Sequence, residues 1–174
     1  MQPSLLGQYK LMVGGVLFAA MLAACVDTHE GTGDVHQHTA GSGVAATSLG
    51  TASLGNAESE IKWGGYTARV EGPTTLTLQE ITFQPGGHTG WHTHGGMALV
   101  TIVQGALTLY TAHAPCTGVD YPAGTAFLDP GAGNVHIARN LGSSTAMVRV
   151  QYINKAGTAI RIDADAPPGS ELCP

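Results

Sequence analysis

The chain has 174 residues, a formal net charge of -5, 25 glycines and only 11% charged side chains. That length allows one ordinary domain plus accessory segments. Sparse charge with abundant glycine argues against helical bundles and coiled coils, and for many short strands joined by tight turns. After the first segment the cations are Lys62, Arg69, Arg139, Arg149, Lys155 and Arg161, scattered and without a basic patch. With an acidic balance, this excludes nucleic acid as a partner on electrostatic grounds.

Residues 1–24 stand apart from the fold. Lys10 is their only charged side chain, and the run from Leu11 to Ala24 is uncharged. It is near the length of a signal-peptide apolar region and short of the roughly 20 residues a spanning helix needs. It ends at Leu22-Ala23-Ala24-Cys25. This resembles the bacterial lipobox, a small-residue cleavage site directly before a cysteine that receives lipid. The resemblance implies export to the bacterial cell envelope, with Cys25 as the mature N-terminus and its acyl chains as the membrane anchor. The plainer alternatives are an uncleaved anchor and a buried helix with an incidental cysteine.

Residues 25–57 read as a flexible, disordered tether. Residues 26–57 hold no aromatic residue, Lys or Arg, and are mostly Gly, Thr, Ser and Ala with scattered acids. Such a stretch buries too little apolar surface to offset chain entropy. His29, His36 and His38 lie in it. They are a metal-collecting arm or a solvated tail with chance histidines, and the lack of preformed geometry favours the tail.

From residue 58 to 174 the pattern is one of short strands with turn punctuation. Thr74 to Phe83 alternates, with a break of phase near Glu80 that suggests a bulge. Met97 to Val103 and Ala106 to Tyr110 flank Gln104-Gly105 and read as a hairpin. Tyr121 to Gly124 is a turn. Thr125 to Leu128 is a strand closed by Asp129-Pro130-Gly131. Val135 to Asn140, Thr145 to Ile153 and Ala159 to Ile162 are further strands. No segment has a convincing helical period. This many short strands in so short a domain means an all-β sandwich or barrel.

Chemistry concentrates at Pro85 to Gly96, around His92-Thr93-His94. On a strand, residues i and i+2 face the same way, so both imidazoles project to one side. Two neutral imidazoles side by side are most of a transition-metal site. Taken alone, the pair is a weak signal and reads more readily as two solvated histidines on a half-exposed strand.

The two halves of the domain together resemble the cupin superfamily, the small jelly-roll β-barrels. Gly86, His92, His94 and Gly105 fit its first motif, and Gly124, Pro130, His136 and Asn140 its second. The stretch between Pro130 and His136 is one residue longer than the pattern, and the resemblance spans roughly residues 60–162. It implies a third ligand, His136, beside His92 and His94, and Asn140 as a structural asparagine. The family's glutamate would fall at Ala98 or Leu99, neither of which binds metal. Some cupin oxygenases are similar in using three histidines without that carboxylate. The implied cofactor is therefore a divalent transition metal (iron, zinc, manganese, nickel or copper) on a site that adds no negative charge. The alternative is a barrel that has lost its metal and keeps its histidines as satisfied polar residues.

Around this triad, His88 lies four residues before His92, across Gly90. It is a fourth nitrogen if the turn aims it inward, and otherwise a mouth residue. Trp91 should face away from the ligands and pack. Tyr110, Phe127, Met147 and Tyr152 read as core or barrel mouth. Arg139 could hold an anionic substrate, though a surface ion pair is the simpler role. Glu80 is a general base if it faces the barrel. With Cys25 lipidated, Cys116 and Cys173 remain, and an even pair in an exported domain suggests a disulfide between the loop at Ala114–Gly118 and the C-terminal tail.

The sequence thus points to a lipid-anchored envelope protein whose barrel binds a metal and a small molecule. It is either a metal-dependent enzyme of oxygenase or lyase type or a non-catalytic binding module at the cell surface. A homodimer is implied by analogy with similar cupins.

Overall fold

A computed structural model describes residues 40–55 and 59–170. The expected signal segment 1–24, Cys25, the linker histidines His29, His36 and His38, and Cys173 lie outside the described residues.

The described chain is nearly all β. Its strands are β1 (Ser42–Gly55), β2 (Ser59–Trp63), β3 (Tyr66–Val70), β4 (Thr74–His88), β5 (His92–Thr93), β6 (Met97–Gln104), β7 (Ala106–Thr111), β8 (Ala114–Pro122), β9 (Ala126–Asp129), β10 (His136–Arg139), β11 (Ala146–Lys155) and β12 (Ile162–Asp163). β2 and β3 form a separate hairpin. The others form one nearly closed, barrel-shaped sheet in the order β12-β5-β10-β4-β11-β6-β9, with β1 on β4, β7 on β10 and β8 on β7. The expected all-β barrel is therefore present.

The core lies inside this sheet. β11 alternates strictly, and its Ala146, Val148, Val150 and Tyr152 are buried beside Ala98, Val100 and Ile102 of β6 and Phe83 of β4. A pleated strand sends alternate side chains to one face, so this period of two places them all inside. A second cluster of Trp91, Tyr110 and Ile137 packs separately, so Trp91 packs as expected. Asn140 is 1% exposed. Its Nδ2 donates to the carbonyls of Phe83, Gln84 and Ser144, and its Oδ1 accepts from Gly142 N–H. It ties the end of β10 to the end of β4 and to the turn before β11.

Several expectations are corrected. The tether does not extend to residue 57: Ser42–Gly55 is strand β1, antiparallel to β4 from Ser42↔His88 to Gly55↔Thr74. Its Ser, Thr, Ala and Gly side chains are exposed. Main-chain hydrogen bonds rather than side-chain burial hold it, so its composition reads as linker. The phase break near Glu80 is not a bulge in β4, which pairs with β11 in unbroken register from Thr74 to Phe83. The irregularity lies in β1, between Ser48 and Gly50. Ala114–Gly118 is not a loop but part of β8, paired with β7. Its polar and small residues are exposed on an edge strand and show no alternation.

Candidate metal centre

Two paired strands bring the histidines together. β5 carries His92, with His94 just beyond it, and β10 carries His136, directly paired with His92. The three rings are 4–5% exposed. Their centroids are 4.4 Å (His92–His136), 4.9 Å (His92–His94) and 5.1 Å (His94–His136) apart. One nitrogen from each lies within 4.8 Å of the others. The triad expected from the two motifs is thus assembled by the fold.

Each ring is anchored by its Nδ1 to a backbone carbonyl. His92 Nδ1 is 2.9 Å from Gly90 O, His94 Nδ1 2.5 Å from Ile160 O and His136 Nδ1 3.0 Å from Asn134 O. A carbonyl only accepts, so a neutral ring must place its proton on Nδ1, leaving the Nε2 lone pair free. This is the arrangement metal-bound histidines use, with the far nitrogen fixing tautomer and orientation. Burial pushes the His92 ring down to about 2, with the His136 ring and Arg161 adding to it against the Gly90 hydrogen bond. Burial also lowers His94, opposed by its bond to Ile160. These rings are kept neutral, which is the ligating form.

Asp129 was not singled out by the sequence beyond its turn. It is 3% exposed. Its Oδ2 lies 2.9 Å from His136 Nδ1 and 3.7 Å from His94 Nε2. Its Oδ1 accepts from Gly131 N–H at 2.7 Å and Asn134 Nδ2 at 3.3 Å. Burial alone would raise this carboxyl, but the hydrogen bond and charge interaction with the His136 ring, followed by hydrogen bonds from Gly131 and Asn134, outweigh it and hold it at about 2. The motif's extra residue is absorbed in the following loop, where Gly131, Ala132 and Gly133 are all left-handed (φ 65°, 49° and 88°). A Cβ on Gly131 would collide with the Gly96 carbonyl, so only glycine fits there. Ala132 N–H then bonds to His94 O at 3.0 Å.

A cavity of about 470 Å³ opens onto His92 and His94, with Val44 and Ala46 of β1 and Gln79 and Ile81 of β4 in its walls. A smaller pocket of about 40 Å³ is lined by the triad itself and Asp129, with Phe83, Val100, Leu107 and Val148 among its apolar walls. Tyr152 lines both, with its ring 5.3 Å from that of His94. Burial pushes its hydroxyl up to about 12, against Arg161, so it stays a proton-bearing donor.

Other expectations fare differently. His88 is not part of the histidine group. Its Nδ1 accepts from Gly90 N–H at 3.2 Å, which turns the ring toward its own turn. Glu80 is not a base at the cavity: Gln79 and Ile81 line it, and alternation turns Glu80 outward to Arg149 at 3.3 Å. Arg139 makes no ion pair with a described residue, and its Nε is buried without a partner. The cation at the cavity is Arg161, which the sequence reading passed over. It is bound to Asp163 at 2.7 Å and donates to Thr89 O at 2.8 Å. Its signal would have been the pairing of β12 with β5, Asp163 opposite His92, a long-range contact that no local pattern encodes. Cys116 Sγ is 3.7 Å from the Gly169 carbonyl, so the chain four residues before Cys173 lies against β8.

The fold and site define an all-β barrel with a buried three-histidine centre whose donor set fits a divalent transition metal. No protein-family model matches the chain, and no curated protein matches it. Similar solved structures include a cupin domain from Bordetella pertussis Tohama I, 20% identical with a TM-score of 0.45 over 64% of this chain and 94% of that one. The polyketide cyclase RemF from Streptomyces resistomycificus is 15% identical with a TM-score of 0.49, over 79% and 84%. An oxalate oxidase in complex with the substrate analogue glycolate is 22% identical with a TM-score of 0.41, over 46% and 42%.

Proposed function

We propose that this protein is a cupin of the bacterial envelope that binds a divalent transition metal through Nε2 of His92, His94 and His136 and takes a small molecule into the adjoining cavity. The observation that carries this reading is the set of three Nδ1-to-carbonyl bonds. They leave three lone pairs facing one buried space, where unpaired polar nitrogens would otherwise be costly. A bound divalent ion would supply Lewis acidity and open coordination positions there. The chain's own groups would do the rest. Tyr152 offers a hydroxyl proton, Gln79 a neutral hydrogen-bonding amide and Arg161 a positive field at the cavity wall.

The rival reading is a non-catalytic binding module, favoured by the apolar side chains of Phe83, Val100, Leu107 and Val148 that share the inner pocket with the histidines. Attachment to the membrane through Cys25 rests on the lipobox resemblance alone. A bridge between Cys116 and Cys173 draws support from the approach of Gly169 to Cys116.

The test is the metal content of the purified full-length chain beside a His92→Ala/His136→Ala double variant. Near-stoichiometric metal in the first and none in the second is the expected result. A wild type that stays empty after reconstitution would end the metal reading. Loss of lipid labelling and of membrane fractionation in Cys25→Ser is expected if Cys25 is the anchor.

A further inference from the structure

We propose that Asp129 is the carboxylate of this centre, acting as a positioning residue that holds His136 through its Nδ1–H and places one negative charge beside the three neutral ligands. The proposal rests on the metal-binding reading above and deepens it.

The glutamate of the first motif is missing, and Ala98, fully buried, stands at its place. The register of β6 and β9 puts Asp129 directly opposite Ala98. Directly paired residues on neighbouring strands share a face. A carboxylate on β9 therefore reaches the interior region that a longer side chain at Ala98 would have entered.

The two carboxylate oxygens have separate tasks. Oδ1 accepts from Gly131 N–H and Asn134 Nδ2, closing the Asp-Pro-Gly turn. A turn residue needs nothing more. Oδ2 is instead aimed into the barrel, 2.9 Å from His136 Nδ1, whose one proton it shares with the Asn134 carbonyl, and 3.7 Å from His94 Nε2. A carboxylate 3% exposed needs a compensating positive charge. No Lys or Arg forms an ion pair with it among the described residues; its basic neighbours are the His136 and His94 rings, which are neutral when they ligate an ion. A divalent ion held by His136, His94 and His92 is the partner the geometry offers. The relay from carboxylate to imidazole to ion fixes the ring and raises its basicity as a ligand.

The test uses the full-length chain and Co2+ alone as probe. Affinity is read by competition with a chromophoric chelator, and the visible ligand-field bands are recorded beside it. Asp129→Asn keeps the side chain's size and an acceptor oxygen but loses the charge. It is expected to weaken Co2+ by about 10–100-fold and to shift the bands. Glu80→Gln removes a carboxylate that faces Arg149 outside the cavity and is expected to keep the wild-type affinity and bands. Wild-type affinity and bands in Asp129→Asn would overturn the proposal. If that variant does not fold, isotope-labelled histidine in the wild type, loaded with NMR-active cadmium, decides instead. Coupling of the metal to His136 Nε2 is expected. Coupling to His136 Nδ1 would overturn the proposal, because that nitrogen cannot both bind the ion and donate to Asp129. A wild type that takes up no metal would overturn the three-histidine reading itself, and the role of Asp129 with it.

Discussion

Burial keeps the His92 and His94 imidazoles neutral before any ion arrives. In the metal-free protein His92 and His94 titrate below the ordinary value of 6.5, His92 at about 2. The unfolded chain retains the ordinary value, so between the two it binds more protons than the folded chain, and acid favours unfolding. Their contribution is fully present above pH 6.5 and shrinks as pH falls below it. Asp129 adds a further loss, confined to the window from 3.8 down to about 2. Thermal melts of the metal-free protein should therefore fall steadily from pH 7 to pH 5, and His92→Gln should flatten that slope. Asn140→Ala should cost about 3 kcal/mol or more in denaturant melts, since three carbonyls lose their shared donor in a buried site. The triad and Asn140 could be read from the two motifs. Asp129 and Arg161 could not, because both reach the site through pairing between distant strands.

Strand β4 is covered on one edge by β11 and on the other by β1. Without β1, ten residues' worth of ladder groups from Thr74 to Phe83 would face solvent, a template for aggregation. A chain starting at residue 58 should therefore melt lower, or aggregate, relative to one starting at residue 40. Equal stability of the two by light scattering and thermal melting would show that β1 is dispensable. The loop after β9 is equally demanding. Gly131→Ala must place a Cβ against the Gly96 carbonyl at a left-handed φ. It should cost about 3 kcal/mol or more and reduce metal uptake, since the same loop holds both His94 and Asp129. The longer strands β4, β6 and β11 were visible in the sequence through apolar content and turns. β1 was not, because an exposed strand of small polar residues has the composition of a linker. β8 was missed for a related reason: its edge position removes the alternation that marks a half-buried strand.

Across the whole molecule, metal binding at this site would be coupled to folding, because the three histidines meet only in the folded barrel. His92 and His94 come from one segment and His136 from another, and Ile160 near the end of the chain anchors His94. An ion that binds only the folded state at a thousand times its Kd adds about 4.1 kcal/mol. That should raise the melting temperature by about 10 °C or more for a domain of this size. No shift with any of the five candidate metals would argue against a ligating triad. Peptide mapping under non-reducing conditions should recover Cys116 joined to Cys173, and reduction should lower the melting temperature of the full-length chain.

The amino-acid order alone pointed to the β class and to the His92/His94 pair, and the resemblance carried by its two motifs implied the barrel, His136 and the structural asparagine. Those depend on periods of two, on glycine-rich turns and on spacings within two short motifs, all of which are local. Tertiary structure alone decided that Ser42–Gly55 is a strand, that His88 and Glu80 turn away, and that Asp129 and Arg161 stand at the site. Each of these follows from which strand lies beside which. That pairing is set by closure of the barrel around its apolar core, a constraint no single stretch of the chain carries.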